Sequence, residues 1–356
     1  MSKIFSLSFC MILLCVLTSS CSLFKDNSKP EHAVTATQPE GDINKEAELS
    51  PKMVSSAALF KKSVSSKCSE CAVYMNERLY KIYEKRENVL AARCSVLGIT
   101  DVYLYFNNKD LKDKEFSLKL RTIISALHSK KIRCHAMLHD PAIYADDRKK
   151  TAEEIKNVLA FNEKSGGSTD KFDGLFINIQ PHEFSRDAQI YKSGIMYKWN
   201  SDTSYGLGKD NDLLMKQAFV VLEEARKCAP SVELGQKVAW FYDSDAGSGK
   251  LSLGKTDDFL KHCDYLMVSA YSSEWRDILE YILPNIRHTE KKNSILLAVK
   301  TSVNINGGDI REVSLSWKGW FRICKDMENV IKNIGKYPSF RGVVFQDYEG
   351  LEKAWE

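Results

Sequence analysis

The chain has 356 residues, of which 44% are hydrophobic and 28% charged, and its formal net charge is +4. These are globular proportions, sufficient for a sizeable core and for one large α/β barrel rather than one minimal domain. Basic and acidic residues are interspersed nearly everywhere, and no basic stripe with interleaved aromatics stands out, which argues against a nucleic-acid partner.

Lys3 precedes an apolar run, Ile4 to Leu17, that ends in Thr18-Ser19-Ser20-Cys21. A basic start, a short hydrophobic stretch and small residues make a secretory signal, and the run is too short to span a bilayer comfortably. The small residues before Cys21 resemble a bacterial lipoprotein cleavage site, although Leu17 stands four positions before the cysteine instead of three. That resemblance implies a signal peptide over 1–20, a lipidated Cys21 and export to the cell envelope with a membrane anchor. An ordinary signal peptide followed by a structural cysteine is the alternative. Residues 21–66, rich in Ser, Lys, Glu, Asn and Thr, are expected to form a flexible tether.

Cysteines 68, 71, 94, 134, 228, 263 and 324 follow, an odd set scattered through a large core and so no disulfide scaffold. Cys68-Ser-Glu-Cys71 has a redox-type spacing but lies ahead of the core, outside a thioredoxin-like context. A local disulfide, or none, is expected there.

From about residue 70, strand-like and helix-like segments alternate. A first strand at 72–75 leads to a helix near 77–97 that Gly98 terminates. Strands at 102–106 and 132–138 follow, with helices at about 115–130 and 151–163. After Gly166-Gly167-Ser168 comes a fourth strand over 173–180, then a long loop and a helix at about 211–228, stopped by Pro230. A fifth strand lies within 232–242 and a sixth at 265–271 after a short helix. Helical sequence continues to Leu283-Pro284. A seventh strand at 294–300, a helix at about 315–335 and an eighth strand at 342–346 complete the series. Eight such units predict a single closed (β/α)8 barrel, a TIM barrel of the α/β class, over 70–356. An open doubly wound sheet is the rival, but no glycine-rich phosphate loop follows the first strand.

In a barrel the chemistry belongs at strand carboxyl ends, where polar residues gather. They are Asn107 and Asn108; His139 and Asp140; Asn178, Gln180, His182 and Glu183; Tyr242, Asp243 and Asp245; Tyr271 and Glu274; and Gln346, Asp347 and Glu349. Trp240, Phe241, Trp275 and Tyr348 are interspersed. Acids and amides mixed with aromatic faces suit a carbohydrate. Along 173–181, alternation puts Phe176, Asn178 and Gln180 on one face and Leu175, Ile177 and Ile179 on the other. An unsatisfied buried amide costs roughly 1–3 kcal/mol, so two inward amides mark either a ligand site or a satisfied polar layer.

The stretch Asp173-Gly174-Leu175-Phe176-Ile177-Asn178-Ile179-Gln180 resembles the fourth-strand motif of chitinase-like barrels of glycoside hydrolase family 18 and related bacterial barrels, Asp-Gly-x-Asp-x-Asp-x-Glu. Met267 to Tyr271 loosely echoes the family's sixth strand, and Gly342-Val343-Val344-Phe345-Gln346 its last strand without the usual Trp. The resemblance implies a barrel in which the residue at 180 protonates the leaving oxygen and the residue at 178 orients the substrate's N-acetyl group. Here Phe176, Asn178 and Gln180 replace all three inner acids. A carboxamide has no proton to give, and loss of a general acid alone costs about 10²–10⁴ in rate.

The expectation is therefore a degenerate glycosidase-like barrel that binds a glycan or peptidoglycan-like oligosaccharide through Asn178, Gln180, His182, Tyr271, Asp140, Asp243, Gln346 and Asp347. Two alternatives stay open: an active glycosidase with relocated carboxylates (Glu183 with Asp140, Asp243, Glu274 or Asp347), or a surface interaction protein on a barrel scaffold. His135, His139, Asp140 and His182 lack a metal-ligand spacing. No cofactor or metal is expected, and the barrel is expected to be monomeric.

Overall fold

The computed structural model describes residues 40–140, 143, 148–167, 169–185, 190–192, 195–197, 199, 209–303 and 310–356. The lipidation site at Cys21 and its leader lie outside these residues.

In chain order the strands are β1 (Glu70–Met75), β2 (Asp101–Tyr105), β3 (Arg133–Leu138), β4 (Gly174–Ile177), β5 (Ile190–Lys192), β6 (Ile195–Tyr197), β7 (Glu233–Ala239), β8 (Tyr265–Ser269), β9 (Ile295–Lys300) and β10 (Phe340–Gln346). Eight of them close a fully parallel barrel in the order β1-β10-β9-β8-β7-β4-β3-β2, as the eightfold alternation predicts. The two short strands β5 and β6 pair antiparallel inside what the sequence suggested was only a long loop. Among the described residues the α-helices are α1 (Glu40–Glu46), α2 (Pro51–Ser63), α3 (Glu77–Ile82), α4 (Glu87–Leu97), α5 (Lys114–Ser129), α6 (Lys149–Glu163), α7 (Lys209–Cys228), α8 (Tyr242–Gly247), α9 (Thr256–Leu260), α10 (Trp275–Arg287), α11 (Trp320–Ile334) and α12 (Tyr348–Trp355). Among the described residues no helix is long and apolar enough to cross a membrane.

Strand alternation builds two cores. Leu175, Ile177 and Ile179 join the shell between sheet and helices, while Phe176 joins Ala72, Tyr74, Tyr103, Met137, Tyr265, Met267 and Val344 inside the barrel. The base of that interior is charged. Glu70, Asp101 and His135 are buried there, with His135 Nε2 2.8 Å from Asp101 Oδ1 and Tyr103 Oη donating to Glu70 at 2.7 Å. Arg341 reaches Glu70 at 2.6 Å and Glu233 at 2.8 Å. Acids and bases at the amino-terminal end of a barrel serve cohesion.

Three expectations need correction. The expected tether over 21–66 does not extend through its last third: residues 40–66 carry α1 and α2, and α2 packs Met53, Ala57 and Phe60 into the barrel's outer shell. Ser50 caps α2 by accepting the Met53 N–H at 3.3 Å, and Pro51 supplies its first turn. The helix expected near 77–97 is broken, because α3 ends at Ile82, with Tyr83 as its C-cap, and Lys85 takes a positive φ of 62°. Gly98 does end α4, in the left-handed conformation at φ 72°, where a Cβ would meet Ser65 Oγ. Finally, α10 runs through Pro284 to Arg287 instead of stopping there. Cys68 and Cys71 are free thiols, the first half-buried and the second buried.

Candidate functional site

The inward positions at the strand carboxyl ends form a cavity of about 350 Å³ lined by Tyr74, Asn76, Tyr105, Met137, His139, Asn178, Glu183, Lys237, Gln346 and Asp347. Its size lies at the small end of ligand sites. A larger open groove of about 630 Å³ runs between α5 and α6 on the barrel's outside, lined by Lys112, Lys114 and Lys164 among others. No strand end reaches that groove, so it is not the site that barrel architecture favours.

Asn178 continues the β4 ladder, its N–H donating to Leu138 O at 2.9 Å, which turns its side chain into the mouth at 6% exposure. His139 Nδ1 lies 2.7 Å from the Asn178 carbonyl and 3.1 Å from the Asn178 side-chain amide. One ring nitrogen cannot donate to the carbonyl and accept from an NH₂ at once, and a carbonyl only accepts, so Nδ1 carries a proton. Turned so that its oxygen shares the Nδ1 proton, the carboxamide leaves its NH₂ without a partner; as placed, Oδ1 has none. Tyr105 meets the His139 ring edge-on at 5.3 Å.

Gln180 behaves differently. It is 2% exposed, does not line the cavity, and its Nε2 has no partner among the described residues. Its backbone N–H donates to Glu183 Oε2 at 3.0 Å, and its carbonyl accepts the Glu183 N–H at 2.9 Å, a tight turn that holds Glu183 over the mouth. Asp347 caps α12, accepting the Gly350 N–H at 2.9 Å, and burial raises its carboxyl above the ordinary carboxylate range. Gln346 accepts from the Tyr271 hydroxyl.

Other expected site residues lie elsewhere. His182 packs edge-on against Phe241 and Tyr242, its Nδ1 2.7 Å from Tyr242 Oη, and burial, with Lys237 second, lowers it to about 4. Asp140 faces α6, 3.6 Å from Lys150 Nζ and beside Glu154, whose carboxyl is raised to about 7 by burial and then by Asp140. Asp243 accepts the Thr256 N–H at 2.9 Å at the start of α9, and Asp245 pairs with Lys250 at 3.6 Å. Glu274 pairs with Lys318 at 2.9 Å and Glu349 with Arg78 at 3.1 Å. Asn108 bridges to Asn157 and to the Glu154 carbonyl, and Asn107 accepts the Lys109 N–H of its own turn. Trp240 stacks on Tyr281 at 4.1 Å, Trp275 lies beside Arg276, and Tyr348 is fully buried. The rings lining the cavity are instead Tyr74 and Tyr105, with Tyr271 outside the lining and bonded to Gln346.

Two lysines were overlooked in the sequence. Lys237 shares the inward face of β7 with Gly235, where a Cβ would strike the Tyr265 ring. Its Nζ lies 5.6 Å from the Tyr271 ring centroid, and Lys300 Nζ, from the end of β9, lies 5.8 Å from the same centroid. A lysine inside the apolar run at 232–242 was the available signal. Burial, with Lys237 second, pulls the Lys300 ammonium below its usual value.

No family model and no curated protein matches the chain. Among solved structures, a GH18 chitinase from Pseudoalteromonas aurantia is similar with a TM-score of 0.52 at 14% identity, over 80% of this chain and 97% of that one. A psychrophilic glycoside hydrolase family 10 endo-beta-1,4-xylanase gives 0.46 at 13% identity, over 83% and 96% of the two chains. The beta-mannanase from the blue mussel Mytilus edulis gives 0.44 at 10%, over 80% and 90%. At such identities the likeness is one of fold: the chain is a (β/α)8 barrel similar to that of a glycoside hydrolase.

Proposed function

We propose that this glycosidase-like barrel binds a glycan at its carboxyl-terminal mouth without cleaving it, as an exported protein anchored through a lipidated Cys21. The observation that carries the absence of cleavage is Gln180. At the position where the resembled family keeps its acid stands a carboxamide, buried and outside the cavity lining, with no proton to deliver to a leaving oxygen. Binding is supported by the unsatisfied amide atom of Asn178 in a cavity lined by the Tyr74 and Tyr105 rings, which match the hydroxyls and the C–H face of a sugar.

An oligosaccharide array with the wild-type barrel and Asn178→Ala tests binding, with reducing-end release measured in parallel. The expected result is retention of one sugar class, lost in the variant, with no release. A hydrolase is the second reading, favoured by one fact: Glu183 and Asp347 both line the cavity and burial raises the Asp347 carboxyl. Release that vanishes in both Glu183→Gln and Asp347→Asn would establish it. The anchor is tested by fatty-acid labelling of the full chain, which Cys21→Ser should abolish.

A further inference from the structure

Lys237 and Lys300 are the feature that a neutral-glycan site does not account for. Lys237 is 5% exposed and lines the cavity; its ammonium lies 5.6 Å from the Tyr271 ring centroid, and that of Lys300, which stands outside the cavity lining, lies 5.8 Å from the same centroid. No described residue forms an ion pair with either ammonium or accepts a hydrogen bond from it. Asp347 attracts the Lys300 ammonium without pairing with it, and burial and Lys237 outweigh that attraction. A buried ammonium with no acid in direct contact is costly, and a second one adds repulsion. The Tyr271 ring face offsets part of that cost through cation–π attraction. The rest of the cost is one that an anionic ligand would remove.

We propose that the mouth recognises a sugar bearing a carboxylate, held by Lys237 and Lys300 as two point charges. This deepens the glycan-binding reading of the mouth and rests on it. The remaining charges select the class of anion. Glu183 and Asp347 line the same cavity, so a dianionic phosphate would meet more repulsion than a monoanionic carboxylate. Two lysines from different strands suit a carboxylate whose oxygens reach separately, without the planar fork of an arginine. Asn178 and the His139 Nε2 then remain for hydroxyls of the same ring.

Calorimetric titration of the barrel with four probes tests this: trigalacturonic acid, its methyl ester, galactose 6-phosphate and, as a sugar-free acid, glutarate. A second matched pair, chitobiose against the disaccharide of N-acetylglucosamine and N-acetylmuramic acid, covers amino sugars. At least one acid should bind about tenfold or more tighter than its neutral counterpart. In Lys237→Met, and separately in Lys300→Gln, that ratio should fall towards one. Thermal melting accompanies each variant; removing a buried charge should not lower the transition, so lost selectivity would not reflect unfolding. Acid and neutral forms binding equally would overturn the proposal and leave the glycan reading intact. Tighter binding of the phosphate would overturn the choice of carboxylate. Binding of glutarate with none of the sugars would remove the glycan reading and the proposal together.

Discussion

Arg341 Nε and Glu70 Oε2 lie 2.6 Å apart across the seam where β10 meets β1 and the barrel closes. Burial, and then Asp101, pushes the Glu70 carboxyl up, and Arg341 pulls it back. Arg341→Met would leave the carboxylate buried without this partner, and such breaks cost about 3–5 kcal/mol. Urea denaturation should show that loss. The double variant with Glu70→Gln should lose less than the two single losses added together, because the stranded charge is gone. Additive losses would mean the pair is not coupled.

His182 gives the fold a measurable pH dependence. Its folded value of about 4 lies below the ordinary 6.5. Above pH 6.5 the ring is neutral whether the chain is folded or not, and its contribution is fully present. Between 6.5 and 4 only the unfolded chain takes up the proton, so stability falls as pH falls, by on the order of 2–3 kcal/mol. His182→Gln should flatten the urea midpoint over this interval. An unchanged slope would assign the dependence to other groups.

Phe60 stacks on Trp320 at 5.1 Å and meets Phe345 at 5.3 Å. Phe60→Ala should therefore cost about 3–5 kcal/mol. Chemical denaturation checks it, since a residue in a solvated tether would be silent.

Placing at 180 the acid of the resembled family should not bring its chemistry. Gln180→Glu puts a carboxyl where the side chain is buried and does not line the cavity. We expect a stability loss of about 1–3 kcal/mol at neutral pH and no reducing-end release from chitin oligomers. Turnover by this single variant would mean that the side chain at 180 does reach the scissile bond.

The architecture was legible because strand alternation and helix periodicity are local signals: Phe176 and Asn178 lie on the face that simple counting assigns them. The site was less so. An acid after a strand is as often a helix cap as a catalyst, and Asp243 is spent on the Thr256 N–H while Asp347 both caps α12 and lines the mouth. Lys237 was missed because a charge inside a strand has no meaning until the barrel's interior is known. The α2 helix was hidden by its composition; Met53, Ala57, Phe60 and Val64 keep a helical spacing, but serines and lysines fill the positions between them.

The Trp355 indole donates to the Met53 carbonyl at 2.9 Å, and Trp320 to that of Ser56 at 2.8 Å, so α2 clasps α11 and α12 from the far side of the sequence. The first of these bonds spans 302 residues. During synthesis the clasp waits until the last βα unit has emerged. Closing so long a loop has an entropic cost and favours slow folding. The early α2 can meet α4 at once, but its bonds to the two tryptophans are complete only when the last βα unit is made.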